Sequence, residues 1–384
     1  MTSKRLYALD NLRGIMMWLG IVFHVSLLHM SSNQRPLFWY DPQTSATADL
    51  LVGFIHCFRM PVFFILSGFF VAMLLHEKGL AGMLQNRFKR IALPFAVFWL
   101  LLAPLTLVSI LLYLHIAHDG QWGIDLGLLP KGTENNSVDT IHLWFLWMLM
   151  GFYLLTACVV KILPRMAWLQ AKWWGTLLRW WVVHPLAPLL LAIPLTFTDA
   201  RSPMGILETN TSFLPPLNQW IHYGIFYLWG IALYIHYPTA LQLLANRYRS
   251  YFVASLIAFC LYLGLAIAQI QAPESGSYAT VWLAALYNLS AWLMCLTWIG
   301  CFIGYFNRQT PVLSYLAQSS YWVYLIHFPV TIVMGAAYYR WTAAAEIKIA
   351  VNVLATTLLC LFSYRFMVRN TFISVFLNGK KYAD

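Results

Sequence analysis

The chain has 384 residues, of which 61% are hydrophobic and only 10% are charged. Soluble domains carry roughly 25% charged residues, so this composition excludes water as the main solvent of the folded chain. The net charge of +11 would suit a nucleic-acid partner, but the basic residues fall in short segments between long apolar stretches. That placement indicates membrane topology and argues against nucleic-acid binding.

Apolar stretches of about 20 residues recur along the chain, and each is long enough to cross a hydrocarbon core of ~30 Å as a helix. They predict an all-α fold, a polytopic membrane helical bundle of about ten transmembrane helices, with residues 1–384 forming a single domain. The predicted spans lie at about 12–30, 49–75, 91–116, 142–162, 180–198, 219–237, 250–270, 279–304, 314–338 and 347–368.

The charges between the spans predict the orientation of the bundle. Most Lys and Arg residues fall on the side of the two termini, and most Asp and Glu residues fall on the other side. Both termini are therefore predicted to be cytoplasmic, in a multi-pass membrane protein. Lys4 and Arg5 precede the first apolar run without a convincing cleavage site, so we expect an uncleaved anchor helix. Outer loops at 31–48, 117–141 and 199–218 are long enough to meet a polar acceptor.

The first predicted span carries polar residues at helical spacing. Asp10, Arg13, Met17, Gly20 and His24 recur at steps of three and four, which places them on one face of the helix. Arg13 and His24 are roughly 16 Å apart along the axis. They form one stripe on that face.

Helical rise converts sequence position into depth in the membrane. His24 lies roughly 18 Å from the predicted cytoplasmic entry, near mid-bilayer. Arg59 on the second span and His327 on the ninth reach the same level, and Ser67 falls near the depth of Arg13. Ionisable groups inside spans cost roughly 2.5–3.5 kcal/mol each, so they are functional candidates. If these helices are neighbours, they form a polar path from the cytoplasm to the midplane.

Each candidate also has an ordinary structural interpretation. His24 and His327 suit hydrogen-bonded core positions, and His56 with Arg59 suits a structural pair. Trp144 suits an interfacial aromatic belt. No acidic residue is predicted within any span, so Arg59 is better explained by an anionic ligand, water or backbone carbonyls.

The main basic loop and the cysteines complete the set of candidates. Arg87, Lys89 and Arg90 directly precede the third span, where ordinary positive-inside charge is the alternative to a phosphate site. The six cysteines fall in apolar spans without CxxC spacing or a partnering histidine cluster. Neither a metal site nor a disulfide framework is expected.

Several of these residues belong to motifs of one known family. The chain resembles the acyltransferase-3 family of membrane O-acyltransferases, whose motifs follow here in order over most of the chain. The matching segments are Arg13 and His24 with ten residues between them, Phe63 to Phe69 (the FF-x-x-SGF signature), Arg87 to Arg90 (R-x-x-R), His142 to Leu146, and Tyr324 to His327.

The resemblance implies a reaction. An acyl group would pass from a cytoplasmic acyl-coenzyme A, a co-substrate and not a bound cofactor, to an acceptor hydroxyl on the periplasmic side. Shorter segments at Phe54 to Met60 and Phe376 to Lys380 resemble members that use succinyl-coenzyme A to modify glucosyl hydroxyls of osmoregulated periplasmic glucans. Membrane lipids surround such a bundle, and a homodimer is one assembly that it allows.

Roles for single residues follow from the resemblance together with their chemistry. We expect His24 to act as general base, with Arg13 and Asp10 as further catalytic residues. The expected substrate- and donor-binding residues are Arg59, His56, Ser67, Arg87, Lys89, Arg90, Trp144 and His327. The basic loop would hold the coenzyme A phosphates, and Arg59 would pair with the free carboxylate of a succinyl group. Direct attack and a covalent acyl-histidine both stay open.

Two other functions remain as alternatives. The first is an O-acetyltransferase that acts on lipopolysaccharide or another surface polysaccharide. The second, less favoured, is a transporter or flippase for the glucan, because buried Arg and His residues also line substrate pathways. The sequence shows no inverted repeat, which argues against transport.

Overall fold

The fold is known from a computed structural model that describes residues 6–32, 37–130, 139–162, 172–271 and 277–379. Lys4, Arg5, Lys380 and parts of two predicted outer loops lie outside these ranges. The helices are α1 Tyr7–Leu27, α2 Ala46–Arg87, α3 Leu93–Asp119, α4 Trp144–Ile162, α5 Lys172–Val183, α6 Ala187–Asp199, α7 Leu217–Ile235, α8 Tyr237–Gln271, α9 Ser277–Tyr305, α10 Pro311–Tyr338, α11 Ala345–Ser363 and α12 Phe372–Asn378.

All ten predicted spans fall on helical structure in the described part of the chain, which confirms the all-α polytopic bundle. By length and hydropathy, six segments of these residues qualify as membrane spans, or seven if the bent pair Gly175–Val183 and Ala187–Asp199 is one span. The segment Ala46–Asp119 holds two predicted spans in 74 residues. The helices α1 and α7 do not qualify, because buried polar residues such as Asn11 and Gln219 lower their mean hydropathy. The count of ten and the cytoplasmic termini stay predictions.

The long segment Ala46–Asp119 is interrupted where the chain turns between its two spans. Gly79 has a positive φ of 66°, a conformation that favours glycine, and it breaks the helical path of α2. A π-helical turn at Phe88–Ala92 then joins α2 to α3. The basic residues of the predicted donor loop therefore lie on a helical connection and not in an irregular loop.

Close packing of α2 against α7 depends on two glycines. A Cβ added at Gly68 would lie 2.0 Å from the carbonyl oxygen of Tyr227, and one added at Gly230 would lie 2.0 Å from that of Ile65. Small residues let membrane helices approach until their backbones touch. Gly68 belongs to the FF-x-x-SGF segment, so this part of the motif has a packing function.

A buried ion pair fastens one loop to α11. The Lys348 Nζ atom donates to Asp41 Oδ2 at 2.6 Å, to Gln43 Oε1 at 2.9 Å and to the Tyr339 carbonyl at 3.2 Å. Lys348 and Asp41 are each 1% exposed. All three ammonium hydrogens thus have acceptors, and the charge has a carboxylate partner. This pair was not predicted from the sequence.

We predict that Lys348→Met lowers the stability of the protein by about 3–5 kcal/mol, because the substitution leaves the Asp41 carboxylate buried without its cation. The midpoint of thermal unfolding in detergent measures the effect. Lys348→Met combined with Asp41→Asn should lose less than the two single variants together. The exposed Lys78→Met is the matched control, and a wild-type midpoint for Lys348→Met would contradict the prediction.

Candidate active site

A small cavity lies where α1, α2, α4 and α10 meet. Its volume is about 20 Å³, which is room for about one water molecule. We call it the histidine cavity. It is lined by Met16, Met17, Gly20, His24, Arg59, Met60, Phe63, His142, Trp144, Phe145, Tyr324 and His327.

Three imidazole rings form one side of the histidine cavity. The ring centroids of His24 and His327 are 5.1 Å apart, and those of His327 and His142 are 5.6 Å apart. The depth calculation had placed His24 and His327 in one layer, and the packing of α1 against α10 brings them together. His142 was not a predicted site residue. Its position in the His142 to Leu146 motif was the available signal.

His142 is held in one orientation by α10. Its Nε2 donates to the Leu325 carbonyl at 2.9 Å, and the Tyr324 hydroxyl donates to the carbonyl of His142 at 3.0 Å. The Leu325 carbonyl is free to accept because Pro329, four residues further on, has no N–H to donate to it. A proline inside α10 thereby supplies the acceptor that orients His142.

The tautomers of two histidines follow from these bonds, because a carbonyl oxygen only accepts. His142 carries its proton on Nε2, and its Nδ1 is shielded from solvent without a partner among the described residues. His327 Nδ1 donates to the carbonyls of Val323 at 3.0 Å and Tyr324 at 2.7 Å. Its Nε2 therefore carries a lone pair, and that atom also lacks a partner in the described part of the chain. Each ring therefore has one nitrogen atom that can accept a hydrogen bond and receives none from the described residues.

Arg59 brings a positive charge to the same cavity. Its guanidinium lies against Gly20, where an added Cβ would be 2.8 Å from Nη1 and 3.4 Å from His327 Nε2. The Cζ atom lies 4.7 Å from the centre of the Phe23 ring. The Nε atom is shielded from solvent without a partner, and no carboxylate of the described residues forms an ion pair with Arg59. A cation without an anion thus stands beside three imidazoles.

One acidic residue is buried directly after the predicted span 180–198. Asp199 is the last residue of α6 and is fully buried, because the helix extends to it before the chain turns. Its carboxylate lies 3.0 Å from His222 Nδ1 and accepts from Asn288 Nδ2 at 2.9 Å. The carboxylate of Asp199 therefore pairs with His222 and Asn288 and does not neutralise Arg59.

His56 lies outside the histidine cavity and contacts the Tyr287 hydroxyl at 3.2 Å.

A second, larger cavity of about 480 Å³ opens on the face where both described chain ends lie. We call it the vestibule. Its lining includes Tyr7 near one end and Asn378 near the other, and it shares Met17, Phe63 and Phe145 with the histidine cavity. Its polar lining residues are Tyr7, Asp10, Asn11, Arg13, Ser67, Asn86, Arg87, Arg90, Tyr153, Gln309, Ser314, Gln318, Ser320, Tyr321 and Asn378.

The predicted basic loop reaches the vestibule in part. Arg87 lies over the Tyr153 ring at 5.1 Å, and its Nε and Nη2 atoms have no hydrogen-bond partner within the described ranges. Ser67 shares a hydrogen bond of 2.9 Å with the Tyr153 hydroxyl. Arg90 also lines the vestibule and donates to the Val375 carbonyl at 3.4 Å. Lys89 is exposed and does not line it.

The stripe predicted on α1 runs from one cavity to the other. Asp10 and Arg13 line the vestibule, where their side chains are 3.6 Å apart, while His24 lines the histidine cavity. Arg13 and Asp10 therefore do not contact His24, and they belong with the other vestibule residues. Trp144 is only 8% exposed and lines the histidine cavity, so the interfacial-belt interpretation was wrong. The α4 helix turns it towards Phe64 and Tyr223.

Comparison with known proteins agrees with the sequence motifs. The acyltransferase-3 family model, described as an acyltransferase domain, matches residues 6–367. Glucans biosynthesis protein C from Escherichia coli strains SMS-3-5 and K12 and from O157:H7 is 26% identical over 344 residues, which covers 87% of this chain and 84% of the relative. No solved structure matches the chain. The resemblance drawn from the motifs is confirmed.

We predict that Arg59→Met leaves the thermal unfolding midpoint in detergent unchanged or raises it. The guanidinium is shielded and forms no ion pair with a carboxylate of the described ranges, so a methionine of similar length removes a desolvation cost and breaks none of the ion pairs found there. Residues kept for function commonly lower stability in this way. A fall as large as that expected for Lys348→Met would show instead that Arg59 is a structural residue.

Proposed function

The chain belongs to the acyltransferase-3 family, and from this premise we propose that it transfers succinyl groups from cytoplasmic succinyl-coenzyme A to glucosyl hydroxyls of periplasmic glucans in the bacterial inner membrane. One observation carries the proposal. The vestibule, open at the face of the chain ends, adjoins the histidine cavity and shares the lining residues Met17, Phe63 and Phe145 with it. A donor that enters from that face can thus present its acyl end to His24.

The vestibule suits an elongated anionic donor. Its volume of about 480 Å³ is within the range of small-molecule sites, roughly 300–1,000 Å³. The free Nε and Nη2 hydrogens of Arg87 match phosphate oxygens, which guanidinium groups bind in pairs. Arg13 and Arg90 add positive charge at the same wall. We assign the coenzyme A phosphates to this surface, with Arg87 as the main contact.

The transfer step uses His24 as general base. The acceptor hydroxyl oxygen attacks the thioester carbonyl carbon, so that a C–O bond forms and the C–S bond breaks. The shielded, unpartnered Nδ1 of His24 takes the hydroxyl proton and returns it to the leaving sulfur, which departs as the coenzyme A thiol. The neutral imidazole accepts the proton, and the imidazolium that this forms donates it to the sulfur.

Arg59 favours a donor whose acyl group carries a free carboxylate. A succinyl group carries a negative charge into the low-dielectric interior, where an unpaired charge is costly. The Arg59 guanidinium lies at the histidine cavity without an anion from the described part of the chain. An acetyl group would leave that cation unpaired. The curated relatives named for glucan biosynthesis support the glucan as acceptor.

The experiment that tests this function supplies labelled succinyl-coenzyme A or acetyl-coenzyme A to purified protein in nanodiscs, with periplasmic glucan as acceptor. We expect succinyl label on the glucan, and we expect His24→Ala to lower the rate by about 10²–10⁴-fold, the contribution of a general base. The exposed His118→Ala is the matched control. Full transfer by His24→Ala would contradict the role of His24, and acetyl label on a surface polysaccharide would favour the acetyltransferase alternative.

We predict that Arg59→Met changes donor preference rather than activity alone. The ratio of kcat/KM for succinyl-coenzyme A to that for acetyl-coenzyme A should fall by about tenfold or more, since the substitution removes a charge-assisted hydrogen bond worth about 1.5–3 kcal/mol that only succinyl makes. The exposed Arg249→Met serves as control. An unchanged ratio would remove Arg59 from donor recognition.

A further inference from the structure

We propose that His142 and His327 form the hydroxyl-recognition pair of this site. The Nδ1 atom of His142 and the Nε2 atom of His327 would accept hydrogen bonds from hydroxyl groups of the acyl acceptor. This inference rests on the proposed acyl transfer, and it assigns the binding of the acceptor to two residues that act beside His24.

The first argument is that both acceptor atoms are buried and receive no hydrogen bond from the described residues. His142 is 7% exposed and His327 is 2% exposed, and both line the histidine cavity. Neither His142 Nδ1 nor His327 Nε2 has a hydrogen-bond partner among the described residues. Buried polar atoms in native proteins are nearly always paired, so two unpartnered acceptors at one cavity indicate an occupant that donates hydrogen bonds, which water supplies at rest and a hydroxyl group of the acceptor supplies when it displaces the water.

The second argument is that backbone hydrogen bonds fix the tautomers of both rings, so that His142 Nδ1 and His327 Nε2 can accept a hydrogen bond but cannot donate one. The Leu325 carbonyl fixes the proton of His142 on Nε2, and the carbonyls of Val323 and Tyr324 fix that of His327 on Nδ1. Each ring therefore shows a lone pair to the cavity. The two planes are 89° apart, with centroids separated by 5.6 Å, so the lone pairs approach the cavity from different directions.

The third argument is that lone pairs discriminate between the two substrates. A thioester and an ionised carboxylate have no hydrogen to donate, whereas a sugar has several hydroxyl donors. The pair therefore suits the acceptor, and Arg59, the cation in the lining of the cavity, suits the donor's carboxylate. A hydroxyl held by His327 lies beside His24, whose ring is 5.1 Å away. The hydroxyl that is bound is thus the one that is deprotonated.

The test uses the two carboxamide substitutions of histidine, because asparagine places its amide near Nδ1 and glutamine places it near Nε2. His142→Asn keeps an acceptor at the proposed site, while His142→Gln keeps only the bond to Leu325. At His327 the order is reversed, since His327→Gln keeps the proposed acceptor and His327→Asn keeps the backbone bonds. The proposal and a purely structural role therefore predict opposite orders at both positions.

We expect kcat/KM for the glucan, measured at saturating donor, to be about tenfold higher for His142→Asn than for His142→Gln. The same margin should favour His327→Gln over His327→Asn. The KM for the acyl donor should stay near the wild-type value in all four variants, because the proposed pair binds the acceptor and Arg59 binds the donor's carboxylate. If one variant does not fold, the other position still gives the comparison.

The reverse order at both positions, or equal losses within each pair, would overturn the proposal. So would an increase in the donor KM in place of the acceptor KM. Failure of the proposed function is separable, because it would appear in the wild-type protein as absent succinyl transfer. If the wild type uses acetyl-coenzyme A instead, the four variants are compared with that donor and the predicted order is the same.

Discussion

The site depends on one constraint, which is a guanidinium held inside a membrane bundle without a carboxylate from the part of the chain that the structure describes. Arg59 is accommodated by the missing side chain of Gly20, by the face of Phe23 and by the cavity itself. Lys348 shows what the same fold does with a structural charge, since all its hydrogens have acceptors and Asp41 neutralises it. The contrast distinguishes Lys348, a cation that stabilises the fold, from Arg59, a cation that is kept for binding. A charge left unneutralised by the protein is available to neutralise a ligand.

Backbone carbonyls give the histidine cavity its chemistry. Pro329 frees the carbonyl of Leu325, and that carbonyl fixes the tautomer of His142. The carbonyls of α10 do the same for His327. Orientation through the main chain needs no further charged group, which suits a low-dielectric interior where each added charge is costly. The cavity therefore combines one cation with imidazoles that are held as acceptors.

Much of the fold and part of the site could be predicted from the sequence. The length of the apolar stretches predicted the spans, and the helical rise per residue placed His24, Arg59 and His327 at one depth. Both predictions need only the position of a residue along its own helix. Which helices touch depends on side-chain packing between distant segments, so His142 and the burial of Trp144 were missed. Asp199 was missed because hydropathy does not locate the end of a polar-tipped helix to within one residue. Arg87 lines the vestibule and Lys89 does not, and this difference was not predicted because the sequence does not show the π-helical turn that joins α2 to α3.

The central claim is that the vestibule and the histidine cavity hold one donor molecule between them. A structure determined by cryo-electron microscopy with a succinyl-coenzyme A analogue, in which a methylene group replaces the thioester sulfur, tests it most directly. The account predicts phosphate density against Arg87 in the vestibule, an arm that passes Met17, Phe63 and Phe145, and the succinyl carboxylate on Arg59. Density for the analogue on the opposite face of the bundle, or an acyl end remote from His24, would contradict it.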